Sequence, residues 1–149
     1  MAIPTGTGTE VLKSVLFEDL DAQNAPLIIG IKFHTYTVLS VISHCISVGS
    51  ATDVGIIQIE GFDAHGGLTD SKIKIATYVI AVGETFVWND KFVFFGGEPA
   101  NQAVISDAAT MLAIGAQGSS SVVQSLEHTA TATDDIFDVT VSYIEQDWS

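Results

Sequence analysis

Ile136-Phe137-Asp138-Val139-Thr140-Val141-Ser142-Tyr143-Ile144 is the stretch whose reading decides the fold class. Phe137, Val139, Val141 and Tyr143 fall on one side of an extended chain; Asp138, Thr140 and Ser142 fall on the other. A repeat of two with β-branched and aromatic residues on the apolar side is the pattern of a half-buried strand.

Working back from this segment, similar runs recur near 11–19, 27–33, 36–48, 54–62, 72–82, 84–95, 109–116 and 122–132. Turn signals separate them: Asp21-Ala22-Gln23-Asn24-Ala25-Pro26, Gly49-Ser50, His65-Gly66-Gly67, Gly83-Glu84, Gly96-Gly97-Glu98-Pro99 and Gly118-Ser119-Ser120-Ser121. In 36–48 the alternation puts Tyr36, Val38, Ile42, Ile46 and Val48 on one face, interrupted by Ser40 and His44. In 84–95 Phe86, Trp88, Phe92 and Phe94 share a face, interrupted by Asp90, with Thr85, Val87, Asn89, Lys91 and Val93 opposite. Only Asn101–Ala113, with Ser106-Asp107 as a cap, offers a helical alternative. Strands at this spacing predict an all-β chain, an antiparallel β-sandwich over 11–149. Jelly-roll topology is the choice among sandwiches, with loops near 63–71 and 96–108 crossing between sheets. Residues 1–10, rich in Gly and Thr and lacking periodicity, read as an extended N-terminal arm.

The chain has 149 residues, enough for one domain with a sizeable core, and 47% of them are hydrophobic against 15% charged. Acidic residues number 18 against five basic ones, for a formal net charge of −13. Phosphate neutralisation needs a basic patch, so nucleic-acid binding is excluded as a reading, and anionic membranes are disfavoured for the same reason. Apolar runs break well short of the roughly 20 residues a membrane-spanning helix needs, and the N-terminus lacks the signal-peptide pattern. Cys45, the single cysteine, sits in an apolar run and reads as a buried free thiol. The low charge fraction implies a surface of Ser, Thr, Gly and apolar atoms, which suits a subunit packed among neighbours.

No catalytic, cofactor or metal site emerges. His34, His44, His65 and His128 lack a partner at metal-ligand spacing, although His34 and His44 lie an even number of residues from Ile42 and would share a sheet face. Acidic groups gather at Glu18, Asp19 and Asp21, at Glu60 and Asp63, and at Asp134, Asp135 and Asp138, without a calcium-loop pattern. Gly6-Thr7-Gly8 has neither the flanking elements nor the lysine of a phosphate loop, and no nucleophile elbow occurs. Trp88 belongs to an apolar strand face and reads as core. The residues expected to touch a partner are Met1, Ala2, Ile3, Pro4 and Thr5 of the arm, with Trp148 at the other end.

Val79-Ile80-Ala81-Val82-Gly83-Glu84-Thr85-Phe86-Val87, then Asp90-Lys91-Phe92-Val93-Phe94, Met111-Leu112-Ala113-Ile114-Gly115-Ala116 and Phe137 to Glu145 form a cadence over 72–145. It resembles that of small β-sandwich structural proteins of tailed bacteriophages, head decoration (cement) proteins among them. The resemblance implies a non-enzymatic virion protein, made in the host cytoplasm and seated on the outer surface of the head. It implies the major capsid protein as partner, a homotrimer, terminal arms that tie neighbours together, and no cofactor. Related sandwiches serve as tail, neck or baseplate parts. From another class, the alternative is a carbohydrate-binding module.

Overall fold

A computed structural model of the chain describes residues 9–21, 23–31, 34–61, 72–96 and 124–147. Every regular element among them is a β-strand: β1 (Glu10–Leu20), β2 (Ala25–Ile29), β3 (His34–Ser47), β4 (Val54–Glu60), β5 (Lys72–Val79), β6 (Thr85–Trp88), β7 (Phe92–Phe95), β8 (Ser125–Ala130) and β9 (Ile136–Asp147). No described helix is long and apolar enough to cross a membrane. The expected strand over 109–116 and the helical alternative over 101–113 lie outside the described residues, as do both expected crossing loops except Gly96.

The strands form two antiparallel sheets. Sheet A runs β1-β9-β3-β6, with β7 also on β3; sheet B runs β2-β8-β4-β5. β6 pairs with Val41–His44 of β3 and β7 with Thr35–Val38, so the two short strands occupy one lane beside the 14-residue β3. With that lane counted once, the pairings nest. First strand lies with last (β1 with β9), second with next to last (β2 with β8), β3 with the β6/β7 lane, and β4 with β5. This is a hairpin rolled into two sheets, the jelly roll.

The inner faces supply the core. Tyr36, Val38, Val41 and Cys45 of β3 and Phe137, Val139, Val141 and Tyr143 of β9 meet Ile57 and Ile59 of β4, Tyr78 of β5 and Leu126 of β8. Val38, Val41, Ile57, Leu126, Val139 and Val141 are 0% exposed; side chains of this kind contribute about 1.5–3 kcal/mol each when fully buried. The alternation read in 136–144 is the one observed, since each inward residue of β9 is buried and each outward one half-exposed.

The alternation expected for 36–48 breaks after Val38, and a second register shift between Cys45 and Ser47 returns Val48 to the core side. Val38 pairs with Tyr143 and Ser40 with Ser142, so β3 spends one more residue here than β9 does. This bulge turns the strand over. Beyond it Val41, Ser43 and Cys45 point inward, and Ile42 and Ile46, each 38% exposed, point out. His34 and His44 therefore lie on opposite faces, not on one.

The run 84–95 is also broken in two rather than continuous. Trp88 pairs with Val41 and Phe92 with Val38, which leaves three residues in this lane against two on β3. Asn89, Asp90 and Lys91 take up the difference opposite the bulge, and alternation resumes on either side. Phe86, Trp88 and Phe92 pack on the core and Phe94 enters it. β2 starts at Ala25, two residues before the expected strand and including Pro26; an edge strand tolerates a residue with no amide hydrogen.

Candidate interaction face and buried polar clusters

The register of sheet A sets its outward side chains in rows. Leu12, Ile144, Thr37 and Val93 form one row across β1, β9, β3 and β7. Ser14, Ser142 and Ser40 form the next. Leu16, Thr140, Ile42 and Val87 form the third, ending on β6. None of these eleven residues is charged. Ser14 and Ser142 join hydroxyl to hydroxyl at 3.0 Å. Leu12 is 69% exposed, Leu16 and Val93 54%, and Val87 53%. Charge returns at the ends of the field, with Glu10 beyond the first row and Asp138 beyond the third, and at its side, where exposed Asp90 and Lys91 lie beside Ser40 between β7 and β6. A continuous apolar and hydroxyl field stands out on a chain of net charge −13, and exposed apolar patches of this kind mark contact sites in other proteins. No described strand pairs with the other edge of β1, whose Val11 and Val15 are exposed as well, although they sit on its inward side.

One ionic cluster lies at the Glu10 end of the field, on the inward side of β1 and β9. The Glu145 carboxylate accepts from Lys13 Nζ and lies 2.7 Å from His34 Nδ1; Tyr36 donates to it from 3.5 Å. Burial opposes the Glu145 charge, but the hydrogen bonds from Lys13 and His34 outweigh it and hold the carboxyl below its usual range. The hydrogen bond with Glu145 raises Lys13 in turn. An inward-pointing lysine on an edge strand also discourages unplanned strand pairing.

Three polar side chains meet between the sheets. The Tyr78 hydroxyl lies 2.7 Å from Ser43 Oγ and 2.6 Å from His128 Nε2. Ser43 and His128 are each 1% exposed. Burial pushes Tyr78 up to about 12 and His128 down to about 4, so both stay neutral near pH 7. A serine beside a histidine has the makings of a nucleophile, but here both are sealed from solvent and bound to Tyr78. Ser43, Cys45, Tyr78, Ile80, Glu84 and Phe86 line a cavity of about 100 Å³ between the edges of the two sheets. The Cys45 thiol is buried, as its sequence context implied, and burial raises its pKa away from the reactive thiolate.

Two further acidic clusters lie among the described residues. Glu127, 3% exposed, accepts from Gln58 Nε2 at 3.0 Å and has Lys72 Nζ 3.7 Å away. Burial and a hydrogen bond with Glu60 raise it to about 7. Asp134 and Asp135 come together with Asp53, their oxygens within 4.8 Å. Asp135 is 2% exposed and accepts from the backbone N–H groups of Gly49 and Ala132; Asp53, 6% exposed, accepts from that of Ser50. The bond from Gly49 ties the β3–β4 turn to the β8–β9 turn, and the other two brace each turn internally. Asp53 is far away in sequence, so spacing did not place it with the other two.

Met1, Ala2, Ile3, Pro4, Thr5 and Trp148, the residues expected to touch a partner, lie outside the described residues, as do His65 and Asp63. Glu10, assigned to the arm, opens β1. Trp88 packs on the core as expected, with its indole Nε1 buried and without a hydrogen-bond partner among the described residues. The uncharged field itself was foreshadowed by composition and by the outward residues Thr140, Ser142, Val87 and Val93, but only the register assembles it.

No protein-family profile matches the chain, and none of the curated proteins is detectably similar to it in sequence. Among solved structures, a chain of Bacillus endospore appendages, described as a novel family of disulfide-linked pili, is similar at a TM-score of 0.46 and 14% identity. The match covers 100% of this chain and 97% of that one. A likeness of that degree carries no weight for function.

Proposed function

We propose that this protein is a non-enzymatic structural subunit that packs against neighbouring protein through the outer face of sheet A. The observation that carries the reading is the set of three uncharged rows, with Leu12, Leu16, Val87 and Val93 all more than half exposed. Such a field is costly to leave in water and gains on burial at ~25 cal/mol per Å². The buried Ser43 and His128, both held by Tyr78, and the raised Cys45 thiol support the non-enzymatic part, because none is set up as a nucleophile.

In its finer form the reading is a capsid decoration protein, bound to the major capsid protein on the outer head of a tailed phage. The acidic charge supports it, since a negative particle stays soluble and repels DNA. Antibody labelling of intact particles from the source, viewed by electron microscopy, tests it. Even label over heads is the expected result. Label confined to tails or necks keeps the structural role and moves its place, and no label on any particle overturns the virion reading.

A further inference from the structure

The uncharged field of sheet A reads alike in both directions. An apolar row, a serine row and a second apolar row lie in register across the sheet, with Ser142 of β9 at the centre. A two-fold axis in the plane of contact, whether along the serine row or along β9, sets apolar row against apolar row and Ser142 against its own counterpart. We infer that this face takes a second copy of the same chain, packed sheet to sheet about such an axis. The inference rests on the reading of this face as a protein contact and adds the identity of what covers it.

A second copy fits the size of the face, and the uncharged field lets it approach despite the like charge. The three uncharged rows span roughly 14 by 19 Å at standard strand rise and spacing, and with the flanking Glu10 and Asp138 rows as a rim the face spans roughly 27 by 19 Å. Two such faces bury on the order of 1,000 Å², at the threshold of a specific interface and in the range of a reversible dimer. Two copies each carrying −13 repel, and the eleven uncharged residues offer a way for them to touch without opposing like charges. Glu10 and Asp138 stay at the rim, where salt screens them. The pair therefore tightens as ionic strength rises, the reverse of an interface held by opposite charges.

Sedimentation of the full chain from about 1 µM to several hundred micromolar tests the inference. The expected result is a monomer–dimer equilibrium that strengthens with salt and is weakened at least tenfold by Leu16→Glu. Circular dichroism checks that this exposed substitution leaves the fold intact. A second readout needs no disruptive change: Ser142→Cys in a Cys45→Ala background should give a dimer with a short bis-maleimide. A wild-type chain that stays monomeric overturns the inference. So does a trimer or other oligomer whose mass Leu16→Glu leaves unchanged, or a Ser142→Cys chain that does not cross-link. A monomer that still labels its particle removes the pairing alone and leaves the structural role standing.

Discussion

The Tyr78 hydroxyl lies 2.6 Å from Nε2 of His128, and the same oxygen reaches Ser43 on the opposite sheet at 2.7 Å. One phenol thus serves two otherwise buried polar groups and links the sheets through their core. Tyr78→Phe keeps the ring and removes that oxygen. Ser43 and His128 are then left 3.4 Å apart, too far for a good bond between them. We expect a loss of about 1–3 kcal/mol, the range for orphaned buried polar groups. It should appear as a lower urea midpoint at unchanged slope. Ser43→Ala should cost less, because Tyr78 keeps His128.

Neighbouring residues of β8 pull stability in opposite directions with pH. Burial lowers His128 from its ordinary 6.5 to about 4. Its contribution is complete above pH 6.5 and is lost as pH falls toward 4, where the unfolded chain takes up the proton first. Burial and Glu60 raise Glu127 from 4.5 to about 7. Its contribution is complete below pH 4.5 and is lost as pH rises through 7. Between pH 4.5 and 6.5 the two slopes oppose. Urea midpoints of Glu127→Gln should therefore rise with pH more steeply than wild type across this window, and those of His128→Gln should fall. If both variants track the wild type, the environments assigned to these groups are wrong.

Two glycines separate steric from backbone strain. Gly55 pairs with Tyr78 across β4 and β5, and a methyl group added there would overlap the Tyr78 ring. Gly55→Ala should cost about 1–3 kcal/mol as an overpacked core and should disturb the tyrosine near-ultraviolet signal. Gly83 has a φ of +83° and open space around it. Gly83→Ala should cost about 1–2 kcal/mol through the left-handed backbone alone, with the tyrosine signal unchanged. Denaturation and near-ultraviolet dichroism on the pair check both.

What the sequence could and could not reveal follows the range of each interaction. Alternation is local, so the strand at 136–144, its buried Phe137 and Val139, and the sandwich itself were legible. A bulge adds one residue without altering composition, so the turnover at Leu39 was not, and Ile42 and Ile46 were placed on the wrong face. The break at Asn89, Asp90 and Lys91 has the same origin, since it compensates a register shift in another strand. Sites joined across sheets were the least accessible. Ser43, Tyr78 and His128 come from three strands, and no spacing rule brings them together. The uncharged field stood between these extremes: its residues were visible as outward positions, while their alignment into rows depends on pairing.

Asp134 and Asp135 are adjacent and acidic, yet substitution should move stability in opposite directions. Asp135 is buried and accepts from the Gly49 and Ala132 amides, so Asp135→Ala leaves two N–H groups without their acceptor. The expected loss is about 2–3 kcal/mol, because hydrogen bonds to a charged group are among the stronger ones. Asp134 is exposed and its carboxylate lies with those of Asp53 and Asp135, within 4.8 Å. Asp134→Asn relieves that repulsion and should raise stability by a few tenths of a kcal/mol, as surface charge effects do. The gain should shrink in about 1 M salt, where the screening length falls to roughly 3 Å. Urea denaturation of both variants at low and high salt checks the pair, and a destabilised Asp134→Asn would mean that the three carboxylates attract a partner rather than repel one another.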